Sequence, residues 1–225
     1  MKMGQKVDVL YVHGTVLTMD PSRDVLDDGA VAVSGDSIVA VGDTAALTSQ
    51  FSAAQTVDCH DCAITPGLIN AHTHVPMTLL RGLADDLRLD VWLYGYIMPA
   101  EREFVGVGFC RLGTMLACAE MIRSGVSTFC DMYYYEESIA EATAEAGMRA
   151  ICAQTVLKFT SPDANSFEES LRHAQDLIQR WQGHPLVMPG VAPHAVYTST
   201  PEMLAASTQL ALDYDVPLHI HVSET

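Results

Sequence analysis

The residues most able to do chemistry come in three groups. His72 and His74 sit two apart in Asn70-Ala-His-Thr-His74, directly after the apolar run Ile64-Thr-Pro-Gly-Leu-Ile69. In a strand, positions i and i+2 project to the same side, so both imidazoles would reach one site. Neutral imidazole nitrogens suit Zn²⁺ and related divalent ions. The second group is His219-Ile-His221-Val-Ser-Glu224. It again ends an apolar segment on a histidine, and Glu224 follows three residues later. A carboxylate next to a metal site is what metal-assisted hydrolysis needs: the ion lowers the pKa of a water and the carboxylate moves protons. The third is His194 in Val191-Ala-Pro-His194, placed to polarise or hydrogen-bond a ligand. Any one of these is compatible with an ordinary strand histidine or a solvated carboxylate. Two histidine-bearing strand ends in one chain weaken that reading.

These groups need a scaffold that brings strand ends together. Residues 1–63 read as a small antiparallel β unit, with strands over 7–17 and 30–41 punctuated by His13-Gly14, Asp28-Gly29, Gly35-Asp36 and Gly42-Asp43. From residue 64 the pattern changes to short apolar runs alternating with helical stretches. Strands are expected over 68–73, 126–132, 149–156, 186–192 and 217–222. Helices are expected over 90–104, 107–124, 136–146, 166–181 and 200–213. Ser124-Gly125 and Ala146-Gly147 are helix stops, and Thr200-Pro201 is a helix start. Such alternation builds parallel βαβ units. A (β/α)₈ barrel takes about 250 residues, so five units need about 156, which residues 66–225 supply. The reading is therefore the first five units of a longer barrel enzyme, with a complete five-stranded doubly wound sheet as the alternative.

Composition excludes several partners. Of the 225 residues, 49% are hydrophobic and 18% charged, enough for a core and against global disorder. A formal net charge of −16 repels nucleic acid and anionic membranes. No apolar run is long enough to cross a membrane, and no signal peptide is read at the N-terminus. Four of the six cysteines, Cys110, Cys118, Cys130 and Cys152, lie in apolar segments as reduced thiols do, which points to the cytoplasm. Cys59-His-Asp-Cys62 has CxxC spacing but no second pair, and reads as a surface loop. Met77, Met98, Met115, Met121 and Met132 read as core filler, and Tyr133-Tyr-Tyr135 as pocket lining or a packed loop. No phosphate-binding glycine motif follows a strand.

An ordered set of motifs carries a resemblance. Thr65-Pro-Gly-Leu-Ile-Asn-Ala-His-Thr-His74, Leu80-Arg-Gly-Leu-Ala-Asp-Asp86, Trp92, Pro99-Ala-Glu101, Asp131-Met-Tyr-Tyr, Ala192-Pro-His194 and His221-Val-Ser-Glu-Thr225 together resemble the amidohydrolase superfamily. Within it they are most similar to the methylthioadenosine/S-adenosylhomocysteine deaminase group. The resemblance implies a TIM-like metal-dependent hydrolase barrel (residues 64–225, its first part) and a small N-terminal β-sandwich portion (residues 1–63). It implies hydrolytic deamination of adenine nucleosides with one divalent metal, Zn²⁺ before Fe²⁺ or Mn²⁺. His72, His74 and His221 match metal ligands, and Glu224 the proton-shuttling glutamate. His194 matches a substrate-contacting histidine and Glu101 the carboxylate that holds the ribose hydroxyls. Trp92 matches a pocket residue and Arg149 a substrate-side arginine. Leu79, Leu83 and Met98 are further candidates to line an apolar pocket for the thioether tail.

The family's sixth-strand histidine and eighth-strand aspartate have no counterpart in these 225 residues. The resemblance thus implies a C-terminal portion, in this or a second chain, and a homo-oligomer. Deamination of guanine, cytosine or a triazine, and a non-catalytic scaffold on the same fold, are the competing readings.

Overall fold

The computed structural model describes residues 4–224, so residues 1–3 of the β segment and Thr225 of the last motif lie outside it. The chain divides after Gly67 into two compact units.

The first unit is one mixed sheet. It holds β1 (Gln5–Leu17), β2 (Val25–Ser34), β3 (Ser37–Asp43), α1 (Thr44–Gln50), β4 (Phe51–Asp58) and β5 (Ala63–Ile64). The strand order is β3-β2-β1-β4, with β5 also on β1. The expected strand over 30–41 is two strands, because Gly35, at φ +60°, turns the chain between them. An all-antiparallel unit was expected, yet β4 and β5 run parallel to β1. The cause is α1, which carries the chain across instead of folding it back in a hairpin. Its first residue, Thr44, is buried; its hydroxyl donates to the Gly29 carbonyl (3.1 Å) and accepts from the His13 amide (3.0 Å). Val7, Leu10, Val12, Ala30, Ala32, Leu47 and Phe51 form the core. Ala63 pairs with Thr15 and Ile64 with Val16, so the short strand that spans the expected boundary belongs to this sheet.

The second unit begins with β6 (Leu68–Thr73), a 3₁₀ turn (Val75–Leu80), α2 (Leu89–Trp92), a π turn (Leu93–Ile97), α3 (Met98–Phe104) and α4 (Val107–Arg123). There follow β7 (Val126–Tyr133), α5 (Glu136–Ala146), β8 (Arg149–Val156), α6 (Phe167–Trp181), β9 (Val187–Pro193), a 3₁₀ turn (Val196–Thr198) and α7 (Pro201–Tyr214). The four strands are parallel in sequential order β6-β7-β8-β9. A doubly wound sheet reverses its order at a switch point; this one does not. Right-handed crossovers in one direction put the helices on one face and curl the sheet as in a (β/α) barrel.

Local chemistry explains the element ends. Ser166 accepts from the Glu169 amide and starts α6, and Thr200 does the same for α7 through Met203. Gly125 and Gly147, at φ +80° and +75°, take the left-handed geometry that closes α4 and α5. Phe129, Ile139, Leu177 and Trp181 anchor the core between sheet and helices, with Cys110, Cys118 and Cys152 buried among them. Met203, Ile178 and Val191 form a second cluster under α6 and α7.

The expected strand over 217–222 is not continuous. It meets β9 and the residues just after it through two separate bridges, Val191 with Leu218 and Ala195 with His221. Among the described residues it has a neighbour on one side only, so the bonds Val191 N–H to Pro217 O (3.0 Å), His219 N–H to Val191 O (3.2 Å) and His221 N–H to His194 O (2.9 Å) hold it. No single helix among the described residues is long and apolar enough to cross a membrane.

Candidate active site

The carboxyl ends of the parallel strands converge on a cavity of about 220 Å³. His72 and His74 come from the end of β6 and the residue after it, His194 from the residue after β9, and His221 from the bridge beside it. One ring nitrogen each of His72, His74 and His221 lies within 4.8 Å of the others. The ring centroids are 5.3 Å apart for His72 and His74, 4.9 Å for His72 and His221, and 5.3 Å for His74 and His221.

The donor set fits a divalent cation. His74 Nδ1 lies 2.6 Å from the Met132 carbonyl. A carbonyl only accepts, so Nδ1 carries the proton and Nε2 is left free to bind a metal. Burial holds the His74 and His221 imidazoles below their usual pKa, which keeps them neutral as ligation requires. Three imidazoles with room beside them match a catalytic zinc site, which has three protein ligands and an open position. The trio can therefore bind a divalent metal.

The strand β7 braces this segment. Asp131 Oδ1 accepts from the Thr73 hydroxyl at 2.5 Å and from the Val75 amide at 2.7 Å. The residues on either side of His74 are thus pinned, while Met132 orients its ring.

Around the trio the cavity is lined by His194, Glu224, Glu101 and Trp92, all four expected from the sequence. His194 lies 5.0 Å from His221, ring to ring, and its Nδ1 is 2.9 Å from the Thr198 hydroxyl. Burial pushes its pKa down to about 4, so it is neutral near pH 7. Glu224 accepts a 2.7 Å hydrogen bond from the Tyr197 hydroxyl. Glu101, on α3, is only 5% exposed. Burial pushes its pKa up to about 7, against a smaller downward pull from the facing Tyr133 and Tyr134 hydroxyls.

Other expectations are corrected. Arg149 is the first residue of β8, exposed and at the amino end of the strand, while the site lies at the carboxyl ends. Strand geometry puts it about 20 Å below the cavity. Leu79, Leu83 and Met98 do not line the cavity; Met77, Leu93 and Ile97 do, with Tyr133, Tyr134 and Thr155. The helix expected over 90–104 runs from Leu89 to Phe104, but it widens into a π turn at Leu93–Ile97. An extra residue per turn there re-aims side chains, and Leu93 and Ile97 of that turn face the site. Tyr197 and the bracing role of Asp131 were not read from the sequence. Their signal was position: each lies at, or a few residues beyond, the carboxyl end of a strand.

Known proteins match this geometry. The amidohydrolase family model matches residues 63–225. A short model, the imidazolonepropionase-like composite domain of bacteria, matches residues 29–51. The chain is 49% identical to a 5-methylthioadenosine/S-adenosylhomocysteine deaminase of Syntrophobacter fumaroxidans, over 97% of this chain and 50% of the relative. It is 44% identical to such a deaminase of Syntrophus aciditrophicus, over 98% of this chain and 50% of that one. The chain spans about half the length of the curated relatives it matches. A crystal structure of an adenosine deaminase from Xanthomonas campestris, with bound zinc, superposes with a TM-score of 0.94 at 40% identity. That match covers 99% of this chain and 51% of the other. With the family model spanning the entire second unit and its histidines gathered at the strand ends, this chain belongs to the amidohydrolase family.

Proposed function

We propose that the protein is a metal-dependent hydrolytic deaminase of adenine nucleosides, acting on 5′-methylthioadenosine and S-adenosylhomocysteine. The observation that carries the reading is one cavity holding three ligand-competent histidines, a neutral histidine and two carboxylates, Glu101 and Glu224. His72, His74 and His221 would hold the ion, zinc before iron or manganese. A divalent metal supplies Lewis acidity, lowering the pKa of water so that it attacks near neutral pH.

The remaining roles follow from side-chain chemistry. Glu224 takes one proton from the attacking water and delivers it to the purine ring, then carries the second, from the new C6 hydroxyl, to the leaving amine. A C6–O bond forms, the C6–N bond breaks and ammonia departs. Neutral His194 donates or accepts a hydrogen bond at the purine, according to its tautomer, without adding charge. Glu101 accepts hydrogen bonds from the two ribose hydroxyls, a charge-assisted contact once it is ionised. Trp92, Leu93 and Ile97 offer apolar surface for the ring and the thioether tail.

The reading includes a C-terminal portion like that of the longer relatives, supplying the sixth-strand histidine and eighth-strand aspartate, and a cytoplasmic homo-oligomer. The first unit is then the N-terminal part of a β-sandwich domain. The test is ammonia release by the zinc-loaded full-length protein with methylthioadenosine, S-adenosylhomocysteine, guanine and a triazine. Preferential turnover of the two nucleosides is expected. Turnover of guanine or the triazine without the nucleosides would overturn the assignment.

A further inference from the structure

Behind the histidines lies a second acidic pair that no step above uses. Asp131 near the end of β7 and Glu136 at the start of α5 are both fully buried. Their carboxyls face one another within hydrogen-bonding reach. Asp131 Oδ1 has its two donors, Thr73 and Val75, and Glu136 Oε1 accepts from the Tyr133 amide at 2.8 Å. Asp131 Oδ2 and Glu136 Oε2 have no donor among the described residues. Two ionised carboxylates cannot share so dry a place, and two unpaired buried oxygens are costly. One proton between them resolves both problems.

We propose that Glu136 is a positioning residue that keeps its proton at neutral pH and donates a hydrogen bond through it to Asp131, so that a single charge, on Asp131, fixes the backbone on both sides of His74. The donor count decides which carboxyl is ionised. Burial pushes Asp131 up as well, but two donors, Thr73 and Val75, pull against it, whereas Glu136 has one donor. Burial and the Asp131 charge both push Glu136 well above the usual carboxylate range. The other titratable groups that bear on it are Asp163 in the loop after β8, Cys110 on α4 and Cys152 on β8, none of them cationic. The local backbone is bent to place it: Tyr135, immediately before, is held at φ +54°, a left-handed geometry that non-glycine residues rarely take. Its amide donates to Asp163 (2.8 Å) and its hydroxyl to the Pro162 carbonyl (2.8 Å).

The protonation does not depend on the substrate. Its effect on metal retention rests on the three-histidine reading, so the two are measured separately. Infrared spectra of this chain above pH 8, where Glu101 is largely ionised, should show a protonated carboxylic-acid band. Glutamate labelled with ¹³C at the side-chain carboxyl should shift it; aspartate so labelled should not. The band should vanish in Glu136→Gln, whose amide replaces the O–H donor. An aspartate-dependent band, or none at all in the unlabelled and labelled protein, overturns the proposal without any variant having to fold.

Linkage gives a second readout. A carboxyl whose folded pKa is raised stabilises fully below its unfolded value and loses that contribution as pH rises toward the folded one. Glu136→Gln removes the titration, so its Tm relative to the parent chain should rise from pH 5 to pH 8. A constant difference counts against the proposal. For the metal, Glu136→Gln should hold zinc within about threefold of the parent, while Glu136→Ala should weaken it about 10- to 100-fold, as loss of an outer hydrogen-bond partner does. Equal loss in both overturns the positioning role and leaves the infrared result standing alone.

Discussion

The Tyr197 hydroxyl donates to Glu224 at 2.7 Å across 27 residues, tying the turn after β9 to the carboxylate that ends the described chain. Burial and Glu224 together raise the Tyr197 pKa, so the phenol stays a donor. Tyr197→Phe removes that donor and keeps the ring. Because the pair is solvent-exposed, the expected loss is about three- to tenfold in kcat, at or below the usual range for a hydrogen bond to a charged group. An unchanged kcat in steady-state assays would show that Glu224 needs no such tether.

Replacing His72, His74 or His221 by alanine removes a ligand from a trio with only three. Zinc affinity should fall by more than the about 10- to 100-fold typical of outer-shell partners. Competition with a chromogenic chelator measures it. Retention of affinity in any one variant would take that histidine out of the site.

Glu101 sets a pH dependence. Its buried carboxyl has a pKa pushed up to about 7. In the proposed function the ionised carboxylate accepts both ribose hydroxyls, and the protonated acid would lose that charge-assisted contact. KM for nucleosides should therefore fall as pH rises through about 7, and Glu101→Gln should flatten the profile and raise KM. The comparison to make is KM against pH for a nucleoside and for its free base. Parallel profiles for the two would remove Glu101 from the sugar.

Gly113 on α4 faces the turn that follows the histidines. A Cβ there would sit 2.6 Å from the Pro76 carbonyl oxygen and 2.7 Å from its Cα, both backbone atoms. Gly113→Ala should cost about 1–3 kcal/mol, as overpacking does. Urea unfolding reads the cost, and a stability equal to the parent's would mean that the helix and turn approach less closely.

Arg149 gives a prediction of no effect. At the amino end of β8, it is remote from the cavity. Arg149→Ala should leave KM within about twofold and stability within about 0.5 kcal/mol, as exposed substitutions do. A large rise in KM would restore the role the resemblance implied.

Much of this protein was written in local patterns. The strands 68–73 and 149–156 and the helix 136–146 match the observed bounds, because apolar period, capping residue and terminal glycine act over a few neighbours. The His72–His74 pair and His194 were legible for a similar reason: each sits where a strand ends, and in a parallel sheet strand ends converge; His221 and Glu224 follow the bridged segment beside β9 into the same cavity. What needed the tertiary structure were relationships between distant segments. The parallel pairing of β4 with β1 depends on how α1 crosses, and the broken strand at 217–222 on which edges have partners. Only the fold could show that Arg149 faces the wrong end, that a π turn aims Leu93 and Ile97 inward, and that Asp131 grips Thr73 while its other oxygen is buried without a donor among the described residues. Residue type and spacing fix what a side chain can do; dielectric and partners, which set its charge, exist only once the chain has packed.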